Sequence, residues 1–458
     1  MRVPRSIFRQ YDIRGLVGEE LTADFAHALG RAFAAFGRER LGRDPVLAVG
    51  RDNRPSGVEL AAALRAGMAA AGATVVDVGE LPTPALYFGV HALELDGGVQ
   101  VTGSHNPPEF NGFKLVLAGD SVHGDDIQDL YERITLEQSP ARPGRESADG
   151  SVLERYRDAI VSRHTLARPV RVVVDCGNGV GSVIAVSTLR ALGAEVVPLF
   201  CESDGTFPNH HPDPTVPANL VDLQVEVRRT GAELGIAFDG DADRIGAVDE
   251  NARVLFGDQL LVVFGRDAVR RFGPGARVIF DVKCSDLLPT ALRAAGAEPE
   301  MWKTGHSLIK ARMKEQHAVL AGEMSGHMFF AGDWFGFDDA LFAAARLLEI
   351  VSHGSHGLAP YLADLPVTFA TPEIRVDCPD ARKFEIVAEA TAYFRARYPV
   401  NDIDGVRMSF AHGWGLIRAS NTQPILVLRF EATDERSLAE YQREVQQWLS
   451  DRGVQGSG

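Results

Sequence analysis

Cysteine is scarce in this chain and never closely spaced. The four present, Cys176, Cys201, Cys284 and Cys378, form no CxxC pair. That leaves no sequence pattern for a zinc ribbon and no disulfide framework, and it fits a reducing cytoplasm. No apolar run reaches the roughly 18 residues of a transmembrane candidate. The opening stretch, MRVPRSIFRQYDIRG, lacks the apolar core of a secretory signal. Basic residues are in deficit, 47 Lys and Arg against 62 Asp and Glu, for a net charge of −15. Such a surface repels nucleic acid and anionic membranes, so neither is an expected partner. An anionic ligand would need a locally positive site against that background.

What is present is a large soluble chain. Hydrophobic residues make up 45% and charged residues 24% of 458 positions, the composition of a globular protein. The length leaves room for three or four domains at about 100–150 residues each. A unit recurs three times. Pro45-Val-Leu-Ala-Val opens a strand, followed by the loop GRDNRPSG, a helix, Ala71-Gly72-Ala73 and the strand TVVDVG. The order returns from Val170 (RVVVD, CGNGVG, helix, Gly193-Ala194, EVVPLF) and from Val278 (VIFD, VKCSD, helix, Gly296-Ala297, a strand to Trp302). Each glycine fits the left-handed residue that closes a helix. Strand–helix–strand units of this kind build sheets with parallel pairing.

The region from about Val367 lacks the repeat. It reads as strand, helix (Ala381 to Tyr398), three strands and a last helix from Ser437, an α+β pattern. Glu137 to Ser151 reads as a linker, and the tail from Gly453 as disordered. The expected domains are 1–146, 150–250, 251–364 and 367–458.

Each domain carries one loop with chemistry in it. The first is Val101 to Lys114, VTGSHNPPEFNGFK. A strand runs into it, and Pro107-Pro108 forces a rigid loop that presents Ser104, His105 and, at its far end, Lys114. Gly-Ser-His alone reads as a surface turn; the other loops reverse that reading. Upstream, FRQYDIRG places Arg14 either in a plain N-terminal strand or on a loop as an anion ligand. The second loop is Asp239-Gly-Asp-Ala-Asp-Arg244, after the apolar strand LGIAF. Three carboxylates so close together repel one another unless a cation binds them, and hard divalent cations take such oxygens. An EF-hand is excluded, since its sixth position lacks glycine. The third is Gly322-Glu-Met-Ser-Gly-His327, in which Glu323, Ser325 and His327 alternate and would face one way on an extended segment. Lys303-Thr-Gly-His306 lies upstream. The fourth, Arg418-Ala-Ser-Asn-Thr-Gln-Pro424, sits between two apolar strands and offers a cationic, hydroxyl-rich pocket for phosphate.

YDIRG, TGSHNPPEFNGFK, DGDADR, GEMSGH and RASNTQP, in that order from Tyr11 to Pro424, resemble the α-D-phosphohexomutase superfamily, and within it the bacterial phosphomannomutase/phosphoglucomutase group. The resemblance implies three related α/β domains with mixed sheets plus a C-terminal α+β domain like the TATA-binding protein, around a central cleft. It implies a phosphoserine at Ser104 and Mg²⁺ held by Asp239, Asp241 and Asp243 with a phosphoserine oxygen. It implies reversible conversion of mannose or glucose 1-phosphate to the 6-phosphate through a bound 1,6-bisphosphate, with glucose 1,6-bisphosphate as activator.

Arg14, Lys114 and Arg244 would steady the transferring group, and His327, Lys114 and Arg14 stand unranked as proton carriers. Glu323 and Ser325 would hold sugar hydroxyls. Arg418, Ser420, Asn421 and Thr422 would clamp the idle phosphate, with Tyr11, Lys283 and His306 as further contacts. The expected partner is a small phosphosugar, and a monomer is favoured over a homodimer. A phosphoglucosamine mutase, a phosphoserine-linked phosphatase and a non-catalytic sugar-phosphate sensor stand as alternatives.

Overall fold

The computed structural model describes residues 3–136, 141–354, 356–421 and 423–454. They form four sheets, of seven, five, four and six strands. The recurring unit is longer than its sequence signature. In the second domain, Arg171–Asp175 pairs in parallel with Glu195–Leu199 on one side and with a third strand, Leu234–Phe238, on the other. That third strand then folds back antiparallel into Ile245–Asp249. The first domain repeats the scheme with Val46–Arg51, Thr74–Glu80, Gly97–Val101 and Phe110–Leu117. The third repeats it with Arg277–Asp281, Glu298–Trp302, Leu320–Gly322 and Met328–Phe330. Each first helix of the unit is followed by glycine with positive φ: Gly72 at +98°, Gly193 at +94° and Gly296 at +92°.

The unit explains where the chemistry lies. In all three domains the motif loop joins the third parallel strand to its antiparallel partner, so each sits at the carboxyl end of a parallel strand. Open α/β sheets bind ligands there. The fourth sheet is antiparallel throughout, with Ile425–Ala432 between Gly413–Ala419 and Ile374–Asp377, and the phosphate-clamp motif is its hairpin loop.

Two expectations change. The stretch read as a linker contributes Arg145–Ala148, which adds to the edge of the first sheet beside Thr74–Glu80; its residues 137–140 lie outside the described residues. All four strand residues are exposed, so no apolar alternation marked them. Of the tail, Val454 is buried in the fourth domain's core, and 455–458 lie outside the described residues.

One core runs through the first three domains. It joins Leu86 and Phe88 to Val172 and Ile236 and to Phe280 and Phe342. The fourth domain has its own core, around Phe394, Leu428 and Trp448. Among the described residues, a small buried cluster of Val282, Trp414 and Leu416 bridges it to the third. Polar contacts surround that cluster: Arg407 donates to the carbonyl of Cys284 at 2.8 Å and to Asp286 at 2.8 Å, and Ser285 to Glu431 at 2.7 Å.

Candidate active site

Ser104 sits in the left-handed region at φ +50° and is buried at 1% exposure. Its Oγ lies 3.0 Å from Asp239 Oδ2 and 3.1 Å from His105 Nδ1. The close approach depends on Gly240, where a Cβ would stand 2.3 Å from the Ser104 carbonyl oxygen.

The loop around Ser104 has a surplus of carbonyls, because Pro107 and Pro108 bring none of the N–H groups that would offset them. A fully buried guanidinium supplies the missing donors. Arg54 donates to the carbonyls of Ser104 (2.8 Å), Asn106 (2.6 Å), Pro107 (2.6 Å) and Phe110 (3.0 Å). Its Nε pairs with Asp52 at 3.1 Å, and Asp52 also accepts from Thr102 Oγ1 and the Gly103 amide. Sequence reading passed over both residues as part of a polar loop.

Lys114 stands within the strand Phe110–Leu117 rather than at the end of a loop. Its ammonium donates to Asp241 Oδ2 at 2.7 Å and Asp243 Oδ2 at 2.5 Å. Thr83 adds a hydroxyl bond to Asp241. Asp239, Asp241 and Asp243 are fully buried, and each offers an oxygen within 4.8 Å of the others'. Burial, then the charges of Asp243 and Asp241, push the Asp239 carboxyl well up. Burial would also raise Asp243, but Lys114 and His327 outweigh it and hold this carboxyl well down. Asp241 Oδ1 is buried without a hydrogen-bond partner, and Asp243 Oδ1 meets only His327 Nε2, at 3.3 Å. An orphaned carboxylate oxygen on Asp241 beside two further buried carboxylates fits a hard divalent cation.

The third-domain loop is a hairpin turn, not the extended segment expected, and the turn brings its side chains together. Glu323 Oε2 lies 2.5 Å from His327 Nδ1, and Ser325 Oγ is 3.3 Å from both groups. Glu323 Oε1 accepts from the Gly305 amide at 2.6 Å. His327 Nε2 is 3.2 Å from Arg244 Nε and 3.3 Å from Asp243 Oδ1. A neutral ring can accept there from Arg244, and an imidazolium can donate to Asp243, so this group changes protonation without losing a partner. Burial alone would lower its pKa; the neighbouring Asp243 and Glu323 raise it to about 9.

The sign of the resulting pH dependence follows from that upward shift. His327 adds stability in full below its ordinary value of 6.5, and this is lost as pH rises through about 9. Glu323→Gln removes one raising partner, so the imidazole resonance of His327 is expected to titrate at lower pH than in wild type. An unshifted NMR titration would rule out the pairing.

A cavity of about 470 Å³ opens above these groups, with Arg14, Arg244, Lys283, Glu323, His327 and Arg418 among its lining residues. Ser104 and Lys114 are buried and do not line it, whereas His105, next to Ser104, does. Arg14 belongs to the strand Ile13–Leu16, and its guanidinium reaches Asp12 at 2.7 Å and Asn106 at 3.2 Å. His306 opens the helix His306–Gln316, with its Nδ1 3.7 Å from Asp338. Lys283 pairs with Glu373 at 3.1 Å.

From the fourth domain, Arg418 pairs with Asp404 at 3.0 Å. Asn421 donates to the Tyr11 hydroxyl at 2.7 Å, which itself donates to the Thr304 carbonyl at 2.9 Å. Ser420 lines the same wall; Thr422 lies outside the described residues.

Lys383 was overlooked as an ordinary helix lysine. It is buried at 3% exposure and donates to the carbonyls of Ser420 (2.5 Å) and Gln423 (3.0 Å) and to Asp380 (2.6 Å). Because a peptide unit is planar and trans, holding the Ser420 carbonyl inward turns the Asn421 amide outward. Lys383→Met is expected to raise KM for the phosphosugar about tenfold with a smaller change in kcat. Lys383→Arg should restore part of the loss. An unchanged KM would assign Lys383 to stability alone.

Models of the phosphoglucomutase/phosphomannomutase family match the chain throughout: alpha/beta/alpha domain I over residues 5–141, domain II over 154–253, domain III over 256–369 and the C-terminal domain over 373–447. The chain belongs to this family. It is 49% identical to a phosphomannomutase/phosphoglucomutase of Pseudomonas aeruginosa, covering 95% of this chain and 94% of that one. It is 46% identical to a phosphoglucomutase of Neisseria gonorrhoeae, with 96% of each covered. A crystal structure of a family protein from Burkholderia thailandensis superposes with a TM-score of 0.91 at 44% identity, over 98% of both chains. Within the family fold, the four motif loops of this chain converge on one cleft. No helix among the described residues is long and apolar enough to cross a membrane.

Proposed function

We propose that this protein is a phosphohexomutase that interconverts hexose 1-phosphates and 6-phosphates, with glucose and mannose as its sugars. The observation that carries the reading is Ser104 Oγ at 3.0 Å from Asp239, against an acidic cluster braced by Lys114 and next to His105, which lines a cleft with several arginines. A serine hydroxyl needs such a setting to give and take a phosphoryl group, because phosphoryl transfer depends on positioning and charge neutralisation.

Asp239, Asp241, Asp243 and an oxygen on Ser104 would hold Mg²⁺, which when bound neutralises charge on the transferring group. Arg54 fixes the Ser104 loop. Lys114 holds the carboxylates together and adds positive charge beneath the phosphoryl group. Arg14 and Arg244 line the cleft and would steady the transferring group. The minor neutral form of His327, its Nδ1–H directed by Glu323, would take the proton from the attacking sugar hydroxyl, and the imidazolium that Asp243 and Glu323 favour would return it to the leaving oxygen. Arg418, Ser420, Asn421 and Thr422 hold the phosphate that is not reacting. Tyr11, Lys283 and His306 complete the sugar-phosphate wall. The bound 1,6-bisphosphate must present each phosphate in turn to Ser104, and glucose 1,6-bisphosphate primes the dephosphorylated serine.

Glu323 and Ser325 contact hydroxyls that glucose and mannose share, which leaves C2 unread and both sugars acceptable. The protein acts as a monomer in the cytoplasm. The test is a coupled assay for product from glucose 1-phosphate and from mannose 1-phosphate, with Mg²⁺ and a trace of glucose 1,6-bisphosphate. Turnover of both supports the reading. Turnover of glucosamine 1-phosphate alone would replace the sugar, and sustained release of free phosphate would replace the reaction.

A further inference from the structure

Cys176 and Cys201 are distant in sequence, but their sulfur atoms lie 3.0 Å apart. The strands that carry them, Arg171–Asp175 and Glu195–Leu199, run parallel with Asp175 opposite Leu199. A regular continuation would set Cys176 opposite Phe200 and leave Cys201 one residue out of step. Phe200 instead takes φ +48°, a left-handed conformation uncommon for an aromatic residue. The chain turns there, and Cys201 swings in beside Cys176. Among the described residues no function assigned above uses either thiol.

The two sulfurs are unequal. Cys176 is fully buried, while Cys201 is partly exposed at the end of its strand. The contact between the two sulfurs draws the Cys201 pKa down, and the same contact, followed by burial, pushes Cys176 up. Cys201 is therefore the less buried thiol and the one favoured to ionise, and Cys176 is the one placed to resolve it.

The pair stands at the base of a loop that touches the active site. Cys176 begins CGNGVG. Its carbonyl accepts from Gly179 at 2.8 Å, and the next amide, Val180, donates to the Gly240 carbonyl at 3.0 Å. Gly179 packs so tightly that a Cβ there would lie 2.8 Å from the Gly240 oxygen. Gly240 separates Asp239 from Asp241. The Asn178 amide donates to the Phe200 carbonyl at 2.8 Å, and the Asn178 carbonyl accepts from Asn53 at 2.7 Å. Asn53 directly precedes Arg54.

We propose that Cys176 and Cys201 are a dithiol that a hydroperoxide converts to a reversible disulfide, and that the bridge lowers turnover by shifting the loop that supports Asp239–Asp243. The Cys201 thiolate attacks the peroxide oxygen. The O–O bond breaks, a sulfenic acid forms, and hydroxide leaves to be protonated as water. The Cys176 sulfur then attacks the sulfenic sulfur, the S–S bond forms, and a second water leaves with the Cys176 proton. Two thiols and one hydrogen peroxide give one disulfide and two waters.

A disulfide draws the sulfurs about 1 Å closer than they now stand. Catalytic groups must hold position to within about 0.5 Å, and the loop's direct bond to Gly240 transmits the shift.

The activity half of this inference rests on the mutase reading; the chemical half does not. Full-length enzyme is treated with hydrogen peroxide, its free thiols are blocked, and its peptides are read by mass spectrometry alongside turnover. The expected result is a linked pair of peptides containing Cys176 and Cys201, lighter than their sum by two hydrogens. With it comes a fall in turnover of about tenfold, restored by dithiothreitol. Cys201→Ser and, separately, Cys176→Ala should keep the reduced enzyme's turnover and lose the response. Absence of the linked peptides, irreversible oxidation of Cys201 with Cys176 still free, or a bridge that leaves turnover unchanged would each overturn the proposal. If wild type shows no mutase turnover at all, the linked peptides still decide the chemistry, and the failure belongs to the mutase reading.

Discussion

Ser104→Ala is expected to lower turnover on glucose 1-phosphate by about four powers of ten or more, the scale seen when a nucleophile acting within a catalytic unit is removed. At about 1.4 kcal/mol for each power of ten, that corresponds to about 5–6 kcal/mol of lost transition-state stabilisation. Stability should barely change. The substitution deletes one oxygen from a buried site whose hydroxyl bonds reach only Asp239 and His105, and it relieves the acidic cluster of a partner that cannot neutralise it. The measurement pairs kcat with intact-protein mass. Wild type incubated with glucose 1,6-bisphosphate should carry one phosphoryl group, and the variant none. A variant that still turns over at near wild-type rate would end the phosphoserine reading, whatever its mass. A variant that loses turnover but still gains a phosphoryl group would move the nucleophile elsewhere.

Arg54→Met should produce the second large effect, on stability and turnover together. The methionine fills much of the space but leaves Asp52 as a buried charge without its cation, and strands the carbonyls of Ser104, Asn106, Pro107 and Phe110. Breaking a buried ion pair by removing one member costs about 3–5 kcal/mol. The orphaned carbonyls would add about 1–3 kcal/mol each if nothing moved. The full sum rivals the whole stability of a typical domain, so the loop is expected to rearrange and recover water contacts. The net loss should then be close to the ion-pair figure, with Ser104 displaced. Denaturant melts should show the lowered midpoint, and turnover should fall by about a hundredfold or more from misplacement alone. Arg54→Lys keeps the charge but offers three donors without the planar fork, and it should recover part of the stability and less of the turnover. Wild-type stability in Arg54→Met would show that the loop holds itself.

These two residues also mark what could be read from the amino-acid order and what could not. Ser104, the three aspartates and Arg418 announce themselves, because hydroxyl, carboxylate and guanidinium groups stand in short loops beside apolar strands. The first half of each repeat is equally legible, since an apolar strand, a helix and a glycine recur in fixed order. The second half of the unit is legible only as the apolar run before each motif, because its helix is closed by Leu93, Gly231 or His317 and so carries no recurring mark. Arg54 and Lys383 could not be recognised locally. Each looks like a solvated cation on a helix or loop, and each is buried by carbonyls that arrive from a segment tens of residues away. Glu323 and His327 were paired correctly in direction but for the wrong local reason: a hairpin turn, not strand alternation, puts them on one side. The edge strand Arg145–Ala148 has no apolar face at all, so its pairing is a matter of backbone hydrogen bonds that side-chain pattern does not encode.

The division of the apolar interior has a thermal consequence. Three domains share one buried cluster, whereas the fourth is joined to them through Val282, Trp414 and Leu416 and a ring of ion pairs and hydrogen bonds. Elements that share a core lose it together, and elements joined by a small polar seam can part first. Scanning calorimetry on the unliganded protein is expected to resolve two endotherms, the smaller one from residues 367–454. A phosphosugar gripped from both sides of the seam should move that smaller transition upward toward the other. The merging of two melting steps into one would then be a direct gauge of how firmly substrate fastens the last domain to the rest.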